Sequence, residues 1–336
     1  MHRLSLGLSI IAGLVARSLQ APLSSLAKRD SPVLSGFNAD PNIIAFGDTY
    51  YIYPTADDPN WEGKSFYAWK SKNLADWTRS ADPILTLDGQ EGPGHSPWAT
   101  NNAWAPTIIE RDGTYYFYHS GFNAAENRLT IGVAVASSPD GPFEGRPEAM
   151  ILGTERPELA DMEIIDPMAF RDPQTGRYLL YWGNGRALHA ELNDDMVSVN
   201  WDTLGENTGL ADYLEASFVV YRDGTYHMTW SISDTRSEDY RVGYASAPAA
   251  TGPWTSHGIV LQKDTARGIR GTGHQSIINV PGTDDWYIAY HRFAIPDGDG
   301  YHRETTIDRL TFDPETGLIE SVTPTLEGIS PQPIII

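Results

Sequence analysis

Residues 38–53, NADPNIIAFGDTYYIY, contain the pattern that decides the fold: a strand with a polar residue, a turn, and then an aromatic strand. Four further copies begin at Trp104, Asp166, Glu215 and His274. From the polar residue to the first aromatic residue, the five copies count 10, 11, 12, 11 and 12 positions. Aromatic and β-branched runs separated by turn residues are typical of strands. The chain is therefore predicted to be an all-β repeat protein.

The spacing of the copies indicates the architecture. Their turn glycines lie 66, 63 and 48 residues apart, at Gly47, Gly113, Gly176 and Gly224. Periods of this size in β-rich units are typical of propeller blades with four antiparallel strands. The innermost strand of each blade lines the central axis, so residues in the same phase of successive blades converge there. Asp40, Asp166 and Glu215 are thus predicted to face one axial pocket.

The amino end differs from the repeats. Arg3 is followed by an uncharged stretch from Leu4 to Ala16, too short to span a membrane but typical of a secretory signal peptide. The pair Lys28–Arg29 resembles a dibasic processing site. We therefore expect residues 1–29 to be a signal peptide with a short pro-segment, residues 30–336 to form one domain, and the protein to be secreted.

The charge of the chain limits its partners. It carries 24 basic and 44 acidic residues, and without residues 1–29 it would keep 20 basic residues and a net charge of −24. Such a surface repels nucleic acid and anionic membranes, whereas a neutral carbohydrate suits it. The sequence has no cysteine, so it can form neither disulfides nor a catalytic thiolate.

The predicted carboxylates have the chemistry that glycosidic bond cleavage needs. One carboxylic acid protonates the leaving oxygen, and a second, ionised carboxylate activates water or attacks the sugar. A third nearby raises the proton affinity of the acid by like-charge repulsion. Alternatively, Asp40–Pro41 and Asp166–Pro167 would each form only an Asx turn. Their equivalent repeat positions, with Glu215 in a third, favour the catalytic interpretation.

Several motifs of this chain resemble those of family 43 glycoside hydrolases, and the resemblance covers residues 34–320. The motifs are Asn38-Ala39-Asp40-Pro41-Asn42, Trp104-Ala105-Pro106, Ile165-Asp166-Pro167, Glu215 before an apolar strand, and Gly273-His274. The resemblance implies a five-bladed β-propeller and an inverting mechanism. It also implies that Asp40 is the general base, Glu215 the general acid, and Asp166 a modulator of pKa that orients the substrate.

Other residues are predicted to contact the sugar. Trp104 offers a flat aromatic face and Asn102 an amide donor, and Phe122 is a weaker candidate. Arg303 lies in a stretch that resembles the Arg-Glu-Thr segment of related xylosidases and arabinofuranosidases, in which the arginine reaches the acid and a sugar hydroxyl. A guanidinium beside the carboxylates would also keep the base ionised. Arg292 is the alternative for this role.

His274 occupies the fifth inner-strand position. The resemblance places it near the axis, in contact with substrate, water or a calcium-type ion, but a histidine satisfied within the core is an equal alternative. A single neutral imidazole is a poor calcium ligand. We therefore assign no metal ligand and require no cofactor, and leave a structural calcium-type ion open.

The most specific expectation is a secreted exo-α-L-arabinofuranosidase acting on arabinan or arabino-oligosaccharides of plant cell walls, as a monomer. It rests on the resemblance of Gly271–Ser276, Tyr301–Glu304 and Ile307–Arg309 to that branch of the family. A β-xylosidase or exo-galactanase is the alternative within the family, and a non-catalytic sugar-binding propeller the alternative outside it. Arg171-Asp172-Pro173 imitates a motif of invertase-like hydrolases, but its turn position indicates a structural role.

Overall fold

The computed structural model describes residues 31–335, so the predicted signal peptide and pro-segment lie outside the described residues. Within residues 31–335, no helix is long and apolar enough to cross a membrane. The described chain consists of strands and turns, with short 3-10 helices at Gly153–Glu155, Pro157–Leu159 and Thr265–Arg267. The all-β prediction is confirmed.

The strands in the first half of the chain are β1 (Asn38–Phe46), β2 (Thr49–Ala56), β3 (Ser65–Phe66), β4 (Trp69–Ser71), β5 (Thr78–Arg79), β6 (Leu85–Leu87), β7 (His95–Ser96), β8 (Trp104–Arg111), β9 (Thr114–Asn123), β10 (Arg128–Ala136) and β11 (Glu144–Gly145). Those in the second half are β12 (Met168–Arg171), β13 (Tyr178–Trp182), β14 (Leu188–Leu192), β15 (Val199–Glu206), β16 (Glu215–Arg222), β17 (Thr225–Ile232), β18 (Arg241–Ala247), β19 (Thr255–Leu261), β20 (Gly273–Asn279), β21 (Trp286–Phe293) and β22 (Arg303–Leu310).

The strands of residues 31–335 form six sheets rather than the predicted five. Four sheets have four antiparallel strands, in the orders β1-β2-β4-β5, β8-β9-β10-β11, β12-β13-β14-β15 and β16-β17-β18-β19. The fifth, β20-β21-β22, has three strands, and the sixth, β3-β6-β7, has three strands of two or three residues and includes a parallel pair. The sequence repeat missed the sixth sheet because its strands are too short to contain the pattern. Only the five sheets that carry the repeat contribute strands to the axial cavities.

Each of the five axial strands has a kink at or near its start. One residue there adopts a left-handed backbone conformation, with φ between 40° and 60°, at Asp40, Ala105, Asp166, Ala216 and His274. In β1, β8, β16 and β20 the kink coincides with a shift of register against the next strand. The repeat therefore has a different phase from the predicted one, because Trp104 and Glu215 precede the kink residue instead of occupying it.

A hydrogen bond from the neighbouring sheet fixes each kink. Four kink residues donate their backbone N–H to a side chain near the end of the second strand of the adjacent sheet: Ala105 to Thr55, Asp166 to Ser120, His274 to Ser231 and Asp40 to the His291 imidazole, at 2.8–3.2 Å. At the equivalent place in the third sheet stands Gly183, where a Cβ would lie 2.1 Å from the Arg186 carbonyl oxygen. The backbone N–H of Ala216, the fifth kink residue, instead interacts with the Asp166 carboxyl and lowers its pKa.

Both ends of the described chain lie against the fifth sheet. The Val33 backbone N–H donates to the Thr305 carbonyl oxygen at 2.9 Å. Arg292 is fully buried, pairs with Glu304 at 2.8 Å, and donates to the Thr325 carbonyl oxygen. The structure thus places Arg292, the alternative to Arg303, in the closure of the ring and not among the residues around the axial pocket. Apolar clusters between adjacent sheets, with Trp182 and Trp230 fully buried, form the rest of the core.

We expect the kink hydrogen bonds to stabilise the folded protein. We predict that Ser120→Ala lowers the free energy of unfolding by about 1–3 kcal/mol, because it leaves the buried Asp166 N–H without an acceptor. Urea denaturation measures this change. Ser246→Ala removes a hydroxyl bonded to His257 at the surface and is the control. If both substitutions lowered the free energy of unfolding equally, the kink bond would contribute no more to stability than a surface hydrogen bond.

Candidate active site

The predicted carboxylates meet at one mouth of the axis. Asp40, Asp166 and Glu215 all line a cavity of about 320 Å³, together with Trp104, His274 and Arg303. All three carboxyl side chains are buried. The kinks of β1 and β20, the turn before β12 and the start of β16 bring them together, as the axial arrangement of the repeats predicted.

Asp40 is held in its ionised form. Its Oδ1 atom lies 3.1 Å from the Arg303 guanidinium, 3.2 Å from His274 Nδ1 and 3.1 Å from His291 Nδ1. Burial alone would raise the pKa of Asp40, but its charged and hydrogen-bonding neighbours, above all the Arg303 guanidinium, hold the pKa well below its usual range. Burial lowers the pKa of His291 to about 3, so this imidazole is neutral and Arg303 supplies the positive charge.

Arg303 is itself fixed by a second carboxylate that the sequence analysis missed. Asp57 accepts hydrogen bonds from Arg303 Nε at 2.9 Å and from its terminal nitrogen at 2.5 Å, and also from the Arg303 backbone N–H. Both side chains are buried. One guanidinium therefore stands between two buried carboxylates, and its planar fork allows it to bind Asp57 and Asp40 at once.

Glu215 has the opposite electrostatic environment. Its two oxygens accept hydrogen bonds from the Tyr240 hydroxyl at 2.7 Å and from the Asn184 amide at 2.8 Å. Burial, with a further contribution from the Asp40 charge, raises the pKa of Glu215 to about 7. Glu215 is therefore protonated in mildly acidic solution, in the same cavity in which Asp40 is ionised.

Asp166 is the least well compensated of the three carboxyls. Its Oδ2 atom has no hydrogen-bond partner within residues 31–335, and the nearest imidazole nitrogen, His274 Nδ1, is 4.0 Å away. Burial and the neighbouring Glu215 and Asp40 raise the pKa of Asp166 well above its usual range. The like-charge repulsion expected to act on Glu215 thus acts strongly on Asp166 as well.

Three residues of the cavity are candidate ligands for the calcium-type ion. Asp166, Glu215 and His274 each place one ligand atom within 4.8 Å of the others. Calcium takes six to eight oxygen ligands, so two carboxylates and an imidazole do not fit it well. A second cavity on the axis, lined in part by His274, has a volume of about 20 Å³, enough for one small molecule such as water.

An aromatic wall borders the cavity. Trp104 lines it as predicted, but its neighbour Trp61 was missed. Trp61 has a left-handed backbone with φ of 57°, which is rare for a bulky residue. Its carbonyl oxygen accepts hydrogen bonds from Trp104 and from Asn102, both at 2.9 Å, and its ring packs against Tyr301 with centroids 4.5 Å apart. Strained backbone of this kind is found mainly at functional sites.

Two predicted sugar contacts, and the aspartate of the invertase-like motif, are not among the described residues that line the cavity. Asn102 does not line the cavity in the described part of the chain, but it supports Trp61 through the bond just described. Phe122 does not line it either, although its strand partner Leu129 does. Asp172 accepts hydrogen bonds from Thr175 and from the buried Tyr226 hydroxyl, in agreement with the structural role predicted for its turn.

The missed residues differ in how visible they were in the sequence. His291 stands five residues after the first aromatic residue of its repeat, as do Thr55, Ser120 and Ser231 in theirs. This regular polar position was a usable signal for His291. Asp57, Trp61, Asn184 and Tyr240 lie in connections between strands, where the repeat imposes no spacing, so no comparable signal marked them.

This chain is similar to known proteins of one enzyme family. The family model of glycosyl hydrolases family 43 matches residues 29–316. A β-D-galactofuranosidase of Aspergillus niger is 34% identical over 327 residues, covering 93% of this chain and 90% of the relative. A xylosidase/arabinosidase of Bacteroides ovatus is 25% identical, covering 87% and 95%. The crystal structure of a thermostable family-43 glycoside hydrolase superposes with a TM-score of 0.75 at 26% identity, covering 91% of this chain and 98% of that one.

The shared guanidinium gives a prediction about stability. We expect Arg303→Met to lower the free energy of unfolding at pH 7 by about 3–5 kcal/mol, because it leaves Asp40 and Asp57 buried without a counter-charge. The pKa of Asp40 then rises above its unfolded value, and that of Asp57, which burial already raises, rises further. The loss therefore shrinks as the pH falls and the carboxyls take up protons. Urea denaturation at about pH 7 and pH 4.5 measures the difference.

The control for this experiment is Arg309→Met, which breaks the exposed ion pair with Asp285. We expect a small change there, because exposed ion pairs contribute little to stability. A loss at Arg303 that is equal at both pH values would contradict the assignment of Arg303 as the counter-charge of two ionised carboxylates.

Proposed function

The chain belongs to glycosyl hydrolase family 43, and from this premise we propose that it is an inverting exo-α-L-arabinofuranosidase. It would remove terminal arabinose from arabinan or arabino-oligosaccharides. Membership of the family makes the chain a glycosidase, whereas the sugar, the exo mode of cutting and the stereochemistry are our proposal.

The observation that carries this proposal is the separation of two pKa values within one cavity. The pKa of Asp40 lies well below its usual range, and that of Glu215 is raised to about 7. Between these values one carboxyl is ionised and the other protonated, which is the state that acid and base catalysis of glycoside hydrolysis needs. A purely sugar-binding propeller has no need of such a pair.

The proposed reaction uses each group once. Glu215 donates its proton to the glycosidic oxygen as the bond to the anomeric carbon breaks. Asp40 accepts a proton from a water molecule, and the oxygen of that water forms the new bond to the anomeric carbon. Arg303 keeps Asp40 ionised in the free enzyme, through their contact at 3.1 Å. At the end Glu215 is ionised and Asp40 protonated, and exchange with solvent restores both.

Asp166 has a different part in this scheme. With its pKa raised well above the usual range, it is protonated under the same conditions as Glu215. The protonated carboxyl of Asp166, which lines the cavity, can then donate a hydrogen bond to a sugar hydroxyl. This role agrees with the substrate-orienting function implied by the family resemblance, and it adds no second negative charge to the cavity.

The Aspergillus niger relative favours β-D-galactofuranose as a second candidate sugar, because it covers 93% of this chain at 34% identity. The furanose rings of α-L-arabinofuranose and β-D-galactofuranose share their configuration, and the sugars differ only in the exocyclic chain, longer by one hydroxymethyl group in galactofuranose. One cavity can therefore accept both. A xylopyranose has a six-membered ring and would need a different fit, which makes the β-xylosidase alternative separable by experiment.

Secretion is part of the proposal and rests on the apolar stretch after Arg3 and on the Lys28–Arg29 pair. N-terminal sequencing of the protein from the culture medium of its host tests it. A mature chain that begins close to Asp30 supports secretion with processing, and retention of Met1 inside the cells contradicts it. The monomeric state is proposed as well, and sedimentation of the purified protein tests it.

One prediction about activity concerns the acid, Glu215. Glu215→Gln keeps the size of the side chain but removes the transferable proton, so release of arabinose from arabinan should fall by about 10²–10⁴-fold. The loss should be smaller on an aryl arabinofuranoside with a good leaving group, which needs less protonation. Glu144→Gln, in an exposed edge strand, is the control and should keep full activity.

The same assay compares the sugars. Arabinan and aryl α-L-arabinofuranoside, β-D-galactofuranoside and β-D-xylopyranoside are offered to the unaltered protein. Faster release of arabinose than of xylose is expected. A preference for galactofuranose would replace the sugar and keep the mechanism, whereas bound sugar with no product from any substrate would contradict an enzymatic role.

A second prediction concerns pH. The acid must be protonated, so kcat/KM should decline as the pH rises through the Glu215 pKa of about 7. The base must be ionised, so activity should persist on the acid side until the pH falls below the usual aspartate range, where Asp40 takes up a proton. Initial rates across this range measure both limbs. Activity that increases above pH 7 would contradict the assignment of Glu215 as the acid.

A further inference from the structure

The carboxyl of Glu215 is held at both of its oxygens. The Tyr240 hydroxyl donates to Oε1 at 2.7 Å, and the Asn184 amide donates to Oε2 at 2.8 Å. A carboxyl oxygen has two lone pairs, so one on each oxygen stays available for the proton that Glu215 would transfer. Two donors on opposite oxygens fix the plane of the carboxyl group, which a single contact would leave free to rotate.

Tyr240 is in turn held rigidly. It is fully buried, and its ring is parallel to the His291 imidazole, with an angle of 5° and centroids 5.4 Å apart. The Tyr240 ring also packs closely against Gly273 of β20, where an added Cβ would lie 2.4 Å from a ring carbon of Tyr240. His291 Nδ1 accepts a hydrogen bond from the Asp40 backbone N–H at 3.2 Å. A continuous path of contacts therefore leads from Glu215 through Tyr240 and His291 to Asp40.

We propose that Tyr240 is a positioning residue that holds the Glu215 carboxyl in one orientation and, through its stacking on His291, fixes Glu215 relative to Asp40. This inference rests on the proposed function, in which Glu215 is the acid and Asp40 the base. An inverting mechanism needs the two carboxyls far enough apart to admit a water molecule. A rigid aromatic spacer between them meets that need, and catalysis is sensitive to displacements of about 1 Å.

The hydroxyl of Tyr240 acts as a donor. Burial, and then the neighbouring Glu215, raise the pKa of Tyr240 well above its usual value, so it keeps its proton. A donor stabilises the ionised form of Glu215, and its removal should therefore raise the pKa of Glu215. The other titratable groups around Glu215 stay in place in this comparison: Asp40, Asp166, Asp234, Arg303, Tyr213 and His274.

The test is Tyr240→Phe, which keeps the ring and its stacking and removes only the hydroxyl. We expect kcat/KM on α-1,5-linked arabinobiose to fall by about tenfold. The loss should be smaller on an aryl arabinofuranoside with a good leaving group, and the alkaline limb of the pH profile should move up by about one unit. A residue with only a structural role would change neither the leaving-group dependence nor the pH profile.

The matched control is Tyr290→Phe. Tyr290 is also fully buried and donates to a carboxylate, Asp308, at 2.7 Å, but it lies in β21 and does not line the active-site cavity. It should leave the alkaline limb and the leaving-group dependence unchanged. Asn184→Ala removes the second donor at a less buried position and should move the alkaline limb in the same direction as Tyr240→Phe.

A second measurement does not depend on activity. NMR titration of glutamate side chains labelled at the carboxyl carbon, with the Glu215 signal identified by its loss in Glu215→Gln, should show an upward shift in Tyr240→Phe and none in Tyr290→Phe. If the unaltered protein released neither sugar, the proposed function would fail, and the titration would still decide on Tyr240. Equal Glu215 titration in the two phenylalanine variants would overturn the inference.

Discussion

The structure depends on five backbone kinks around the axis and on the hydrogen bonds that neighbouring sheets give to them. A left-handed backbone is unfavourable for residues other than glycine, so each kink needs a compensating contact. Side chains from the second strand of an adjacent sheet supply it for four kinks, at Asp40, Ala105, Asp166 and His274. Four of the five sheets that carry the repeat thereby fix the kink residue of a neighbouring sheet. The third sheet has Gly183 at that place, and the backbone N–H of the fifth kink residue, Ala216, interacts with the Asp166 carboxyl of the site.

The same geometry sets the electrostatics of the cavity. Three buried carboxyls could not all be ionised there without a large cost in solvation free energy. One guanidinium, Arg303, compensates Asp40 and Asp57, while Asp166 and Glu215 lower the cost by keeping their protons. The acid and the base are thus distinguished by their surroundings and not by their residue types. The stack of Tyr240 on His291 links these two environments and holds them at a fixed separation.

The repeat pattern predicted most of this, because an axial pocket follows from the spacing of strands and not from loop structure. Asp40, Asp166, Glu215 and Trp104 meet at one cavity as the repeat predicted, and Arg303 lies there as the family resemblance implied. The sheet count was wrong, since β3, β6 and β7 are too short to leave a pattern. Phe122, in β9, lies outside the cavity lining in residues 31–335. Trp61, Asp57 and Tyr240 were missed because their positions depend on the course of connecting segments.

The most direct test of the central claim, that Asp40 activates water while Glu215 protonates the leaving oxygen, is the configuration of the sugar at the moment of its release. Proton NMR of the first product formed from an aryl α-L-arabinofuranoside distinguishes the two anomers before they interconvert. β-Arabinofuranose should be the first product released, because water attacks from the face opposite to the leaving group. Initial formation of the α anomer would mean that a carboxylate attacks the sugar itself, and it would contradict the roles assigned to Asp40 and Glu215.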